Sequence, residues 1–328
     1  MTVLKYPCFD GERVWDSAAV TMENGFVTSI EACDPAECGE GFLMPGLIDA
    51  HVHMESAAQA QALLQHGITT VCDVSAPAGL SDQVRPLRII SSGGMAMGIV
   101  PNPKGFVKRA VSRRANYIKV LLFHPLSIGE PALRGIVKAA HARGLKVAVH
   151  ATEVATVRQA VRAGTDILLH VPMKEPFPDA LAELIAQRGI AVAPTLVMMQ
   201  AFARSGRNGF AEHHYPSAEQ AVRTLHRHGA TILAGTDANS GSFAPAVGYG
   251  DTLHHELSLL AKTGLCPTEV LAAATANTAR AFDLSTVGRI APGKRADLLL
   301  WKGRPDRCID ERNSILRVWI GGIELSHS

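Results

Sequence analysis

Several absences narrow the reading before any motif does. No run approaches the eighteen or so apolar residues of a membrane span. The opening Met1-Thr2-Val3-Leu4-Lys5-Tyr6-Pro7 has no long apolar core of a secretory signal. The expectation is a cytoplasmic protein without a membrane partner. Charge of one sign is missing as well: 32 basic residues against 30 acidic ones leave +2, which points to no polyanionic partner. The densest basic run, Lys104 to Arg114, spaces Lys108, Arg109, Arg113 and Arg114 at helical intervals and reads as a solvated helix face rather than a nucleic-acid site. Cys8, Cys33, Cys38, Cys72, Cys266 and Cys308 include no CxxC pair, and Cys33 with Cys38 has no second ligand pair to make a zinc knuckle. Free thiols in a reducing compartment are the simplest account.

What is present is a large apolar inventory. At 328 residues and 47% hydrophobic, the chain can fill one large domain of about 250 residues plus a smaller appendage. Residues 1 to about 43 are β-rich, with Ala18–Met22 and Phe26–Ile30 joined through Glu23-Asn24-Gly25, a favoured hairpin turn. From Leu47 the texture becomes alternating βα, which argues a parallel sheet. Its apolar runs are Leu47–Ala50, Thr69–Val74, Gly94–Val100, Tyr117–Phe123, Lys146–His150, Asp166–Val171, Ile190–Val197 and Thr231–Gly235. Helical stretches such as Glu130–Arg143, Thr152–Ala163, Asp179–Gln187 and Ala218–His228 each close on a glycine: Gly144, Gly164, Gly189 and Gly229.

Eight such units are what a (β/α)8 TIM barrel needs. A doubly wound open sheet is the alternative, but no Gly-rich phosphate fingerprint follows the first strand. Beyond the helical stretches Leu257–Gly264 and Thr268–Phe282, β texture returns at Gly288-Arg289-Ile290, Ala296–Trp301 and Leu316–Leu325. The expected organisation is a barrel over residues 45–286, with a small β-sandwich domain assembled from 1–44 and 287–328.

Barrel active sites lie at the C-terminal ends of the strands. The expected strand one delivers His51 and His53 there, two residues apart and so on one face. Strand five ends at His150, strand six at His170 and strand eight at Asp237, while strand four carries Lys119 between apolar neighbours. Singly, His150 or His170 would be an ordinary hydrogen-bonded strand-end histidine, and Asp237 could cap the next helix. Lys119 could snorkel to solvent, although a charged amine so bracketed is costly unless paired, neutralised or modified. Together they form a candidate metal centre.

The pattern resembles the metal-dependent amidohydrolase superfamily. The matching stretches are Pro45-Gly46-Leu47-Ile48-Asp49-Ala50-His51-Val52-His53, Gly67-Ile68-Thr69-Thr70-Val71, Ile118-Lys119-Val120, His150-Ala151-Thr152, His170, Ala193-Pro194-Thr195-Leu196, Gly235-Thr236-Asp237 and the run from Gly288 to Leu298. Lys119 and His255-Glu256-Leu257 look most like its prolidase and imidazolonepropionase-related branch. The resemblance implies two divalent ions, zinc by family habit, with His51, His53 and Asp237 holding one and His150 and His170 the other. It also implies a CO2-derived carbamate on Lys119 as the bridge; with a single ion, Lys119 would instead contact substrate.

The chemistry implied is hydrolysis of an amide, cyclic amide or ester of a small molecule, with Asp237 as general base and then acid. A lyase, decarboxylase or deaminase on the same site, or a non-catalytic barrel descendant, are the alternatives. The chain departs from that branch in lacking a Gly- and His-rich loop between Val100 and Asn116. Met198–Tyr215, with Arg204, Arg207, His213 and His214, reads either as a replacement lid or as a surface loop. His124 and Glu153 stand just past strands four and five, where they could reach the mouth, shape a turn or start a helix. His254 and His255 read as supporting or surface residues. A homo-oligomer is compatible with the sequence, which does not specify one.

Overall fold

The computed structural model describes residues 1–74, 79–123, 127–242, 244–309 and 315–325. Strands β1 (Thr2–Phe9), β2 (Val14–Glu23), β3 (Phe26–Ala32) and β4 (Phe42–Pro45) lead into β5 (Leu47–Val52). There follow α1 (Ala58–Gln65), β6 (Ile68–Asp73), α2 (Leu80–Gln83), β7 (Arg88–Ser91), β8 (Met95–Ala96), α3 (Pro103–Ser112) and β9 (Ile118–Leu122). Next come α4 (Glu130–His141), β10 (Val147–Ala151), α5 (Val154–Ala163), β11 (Ile167–Leu169), α6 (Asp179–Gln187), β12 (Ala191–Ala193), α7 (Leu196–Ser205) and α8 (Tyr215–Arg227). Helices α9 (Asp251–Lys262), α10 (Pro267–Ala273) and α11 (Ala276–Ala281) precede β13 (Leu298–Trp301), β14 (Ile315–Ile320) and β15 (Ile323–Glu324). Among the described residues, no helix is long and apolar enough to cross a membrane.

The parallel staves β5-β6-β7 and β8-β9-β10-β11-β12 make up the (β/α)8 barrel. Residues 231–238 close it without forming a regular strand. On one side Val192 N donates to Thr231 O and Leu233 N to Val192 O; on the other Ala50 N donates to Ala234 O and Asp237 N to His51 O. The two flanks approach so closely that a Cβ on Gly235 would lie 3.2 Å from His51 N, which explains a glycine there. The four helix-ending glycines all have positive φ, between 64° and 83°, as their spacing implied.

The third stave differs from the expectation. It runs Arg88–Ser91 and then Met95–Ala96, rather than Gly94–Val100, because Gly93 and Gly94 at φ 66° and 129° break it in the middle. Gly288-Arg289-Ile290 is likewise no strand: Gly288 sits at φ 81° in a turn, where a Cβ would come within 2.5 Å of Ala279 Cβ.

Strands from both ends of the chain form one mixed sheet in the order β15-β14-β13-β4-β1-β2-β3. Its far edge folds back: Val27 N donates to Lys294 O and Ala296 N to Gly25 O. The fold encloses its own small core of Cys8, Val20, Leu43, Leu298 and Trp319. Asn24 and Gly25, at φ 51° and 83°, make the expected β2–β3 turn.

Candidate metal centre

Period-two alternation fixes most of the barrel lining. On β10, Val147 and Val149 pack outward with the helices, while Ala148 belongs to the interior cluster and His150 shares its parity. On β11, Ile167 and Leu169 are interior and Leu168 faces out. Strict alternation would therefore send His170 outward. It does not go there, because His170 ends the strand at φ 73° and the ring turns toward the mouth. On β5, Ile48 and Ala50 are interior, and the register slips between Asp49 and Val52. That irregularity reverses the parity, so His51 and His53 both meet Asp237.

Asp237 Oδ1 lies 3.3 Å from His51 Nε2 and 3.0 Å from His53 Nε2. The His51 ring is centred 5.0 Å from that of His170, which is in turn 4.3 Å from that of His150. One ligand atom each from His51, His170 and Asp237 all lie within 4.8 Å of one another. His51 is 1% exposed, and neither of its ring nitrogens has a hydrogen-bond partner among the described residues. His150 Nε2 is also buried and unpaired.

Burial, reinforced by the neighbouring Lys119 and by the other imidazoles, holds His51, His150 and His170 well below the usual histidine range. Neutral imidazoles carry a free lone pair, which is the form a cation binds. Lys119, 1% exposed, is pushed down to about 7 by burial, with the charge of Asp237 opposing the shift. A buried nitrogen without a partner is costly, and a cation in this cluster would satisfy it. The residues therefore fit a metal ion.

The supporting contacts are well defined. His170 Nδ1 and Thr195 Oγ1 are 2.7 Å apart. Asp49 accepts from His51 N, Thr236 N and the Thr236 hydroxyl, at 3.1, 3.0 and 2.7 Å. Its carboxyl is pushed up to about 7 by burial against those three donors. The Tyr249 hydroxyl donates to His53 O at 2.6 Å, and Asp73 Oδ1 accepts from Met54 N at 2.6 Å. His170, Thr195 and Asp237, three rim residues, all stand at positive φ. For β-branched Thr195 that is a true outlier.

The profile described as "Amidohydrolase family" matches residues 42–324. The chain belongs to the amidohydrolase family. An imidazolonepropionase of Anaeromyxobacter sp. (strain K) is 31% identical over 284 residues, which is 77% of this chain and 62% of that one. Adenine deaminase 2 of Agrobacterium fabrum (strain C58 / ATCC 33970) is 27% identical, over 83% of this chain and 47% of that one. The chain thus spans less than two thirds of the length of these curated relatives. A Xaa-Pro dipeptidase with bound methionine superposes with a TM-score of 0.82 at 19% identity, covering 99% of each chain. A putative prolidase from Bifidobacterium longum gives 0.81 at 22%, covering 99% and 94%. The family match and the superpositions together give the family and its fold.

One expectation for this amidohydrolase needs correcting. Two ions bridged by a carbamate on Lys119 would require two ligand groups, but the described residues contain a single one, His51, His170 and Asp237. It draws on both of the sets that the resemblance implied, because the left-handed turn at His170 brings that ring across to His51. His53, His150 and Lys119 border the group and are not part of it.

Glu153 is the N-cap residue of α5, its N–H donating to Thr156 Oγ1, so it serves its helix. His254 Nε2 contacts His66 O at 2.9 Å, and His255 contacts Gln200 Oε1 at 3.2 Å. His124 lies outside the described residues. Most of Met198–Tyr215 is the end of α7 and two short 3-10 turns, and it bears on the mouth through Phe202 and Phe210 rather than through its arginines. Those two aromatics, Thr195 and Asp49 were missed as site-forming residues; Thr195 was visible only as part of the Ala193-Pro194-Thr195-Leu196 match.

Proposed function

We propose that the chain hydrolyses an amide or ester bond of a small molecule with one divalent cation held by His51, His170 and Asp237. The observation that carries this reading is the buried His51 imidazole, whose Nε2 faces Asp237 Oδ1 at 3.3 Å beside the His170 ring while neither ring nitrogen makes a hydrogen bond among the described residues. Two nitrogens and one carboxylate oxygen suit zinc, with a position left open for substrate or water. When bound, the ion supplies Lewis acidity, polarising a carbonyl and making water more acidic.

The chain supplies the proton chemistry and the positioning. Asp237 takes a proton from the attacking water and returns it to the leaving nitrogen or oxygen. Its place is held by its own N–H to His51 O at 2.7 Å and by Asn239 Nδ2 donating to its carbonyl at 2.8 Å. His53, on the half-exposed side of the same carboxylate, meets incoming substrate. Lys119, whose amine burial pushes down to about 7, offers N–H donors from the barrel interior to the carbonyl oxygen as negative charge develops on it. Thr195 keeps Nδ1 of His170 occupied, leaving Nε2 for the ion.

The Xaa-Pro dipeptidase and prolidase that share the fold support an amide of this kind. The adenine deaminase relative supports a second reading, since a single-ion cluster also suits deamination. Metal analysis together with hydrolysis of an amide and ester panel tests the proposal: about one equivalent of ion and carboxylate release are expected. Ammonia release from aminopurines, with no amide or ester cleaved, would favour deamination.

A further inference from the structure

Beside the metal centre the mouth changes character. A small cavity opens between His150 and His170 on one side and Phe123, Val171, Met173, Met199, Phe202 and Phe210 on the other. Four elements build it: the ends of β9 and β10, the loop after β11, and α7 with the turns that follow it. Val171, Met173 and Met199 are at most 2% exposed, so the wall is a fixed part of the core. Phe202 and Phe210 stand 5.6 Å apart as a tilted pair over it. Lys174 Nζ lies 4.4 Å above the Phe210 ring and holds its outer face by cation–π attraction. Phe123, 39% exposed, meets His150 edge-on at 6.3 Å.

Among the described residues the lining has no carboxylate and no ammonium or guanidinium; Thr152 and the two imidazoles are its polar members. A charged substituent placed here would lose its water and meet no counter-charge in the described lining, since Lys174 stands behind the Phe210 ring. A hydrocarbon substituent would cover Phe123 and fill the space, and methionine walls adapt to more than one shape.

We propose that this cavity is the specificity pocket for an aliphatic or aromatic group attached next to the scissile carbonyl, so that the substrates are amides of apolar acids. The proposal rests on the hydrolytic reading for its placement, and its test separates the two. Amides of one common amine would be compared along the acyl series acetyl, butyryl, hexanoyl and phenylacetyl, with succinyl as the charged member. Binding of the corresponding free acids would be measured in parallel by calorimetry, which needs no turnover.

The expected result is a rise in kcat/KM and in affinity of about fourfold per added methylene until the pocket is full, with succinyl last. Phe210→Ala should lower kcat/KM for the phenylacetyl amide about tenfold more than for the acetyl amide, and Phe210→Leu should recover part of that ratio. Acids that bind with this gradient while no amide is cleaved would support the pocket and overturn the hydrolytic reading. Amides cleaved with no gradient, or with succinyl preferred, would overturn the pocket and leave hydrolysis standing.

Discussion

The barrel rim and the terminal sheet both bury polar side chains, and they treat them in opposite ways. In the sheet, Asp297 is 5% exposed, accepts from Gly321 N at 2.7 Å and from Arg295 Nε at 3.2 Å. Asp10 accepts from Glu12 N, Arg13 N and Trp15 Nε1. Left-handed backbone there falls on Asn24 in a turn, a residue that tolerates it. At the rim, His51 is as deeply buried and neither ring nitrogen makes a hydrogen bond among the described residues, and a threonine carries positive φ. Strain of that kind costs on the order of 1–3 kcal/mol per residue. Satisfied polar groups hold the sheet together; the rim keeps its groups available for something that is not part of the chain.

The largest effect that could break this contrast is expected from two matched substitutions. Asp237→Asn should lower kcat by about a thousandfold with the fold retained by circular dichroism. Asp297→Ala should destabilise by about 2–4 kcal/mol in urea titrations while kcat of the folded fraction stays near wild type. Wild-type turnover in Asp237→Asn with the ion bound would remove the proton-transfer role. Next in size is removal of the ion. A chelator should abolish activity, and restoring the divalent ion to about a hundred times its Kd should stabilise by roughly 2.7 kcal/mol. His51→Ala should lose that increment. A thermal curve indifferent to divalent ions would show the rim to be ordinary core.

The same contrast explains what could be read from the sequence. Barrel, terminal sheet and the strand-end places of His51, His53, His150, His170 and Asp237 are legible because short apolar runs that stop on a polar residue, and helix-ending glycines, are local signals; parity by itself would turn His170 outward. The grouping of ligands was not. It depends on a register slip in β5 and a left-handed residue at His170, and neither leaves a mark in alternation. The two ligand sets that the resemblance implies put His170 with His150 rather than with His51 and Asp237. The third stave failed for a similar reason: its apolar residues are split by Gly93-Gly94, and the second half alone was noticed. Phe202 and Phe210 lie in the Met198–Tyr215 stretch, whose charged residues are the ones that draw notice in the sequence.

A smaller effect tests whether the rim's order is specific. Thr195→Val keeps the shape and removes the Oγ1 that lies 2.7 Å from His170 Nδ1. Ion affinity should fall about 10–100-fold, read by competition with a chromogenic chelator, with kcat at saturating ion much less affected. Thr195→Ser should stay close to wild type. Equal losses in both variants would mean that backbone strain, not the hydroxyl, sets the ring.

The finest distinction concerns Glu256, a carboxylate near the rim that is satisfied as the sheet's are. Its two oxygens accept from Leu196 N and Val197 N at 3.0 and 2.8 Å, at the start of α7. Even so, burial pushes it up to about 8 against the pull of those donors, with Asp49 adding slightly. An unfolded glutamate titrates near 4.5. Between those values the native chain holds a proton that the unfolded chain has lost, so stability falls as pH rises from about 4.5 to about 8 and levels off outside that window. Asp49, pushed up to about 7 from 3.8, adds a fall of the same sign that ends sooner. The wild-type Tm should therefore drop between pH 5 and pH 8.5, by the equivalent of about 1–3 kcal/mol. Glu256→Gln, which keeps a neutral side chain at every pH, should retain only the Asp49 share and flatten above pH 7. A Gln variant that followed the wild-type curve throughout would mean that the two backbone donors outweigh burial and keep Glu256 ionised.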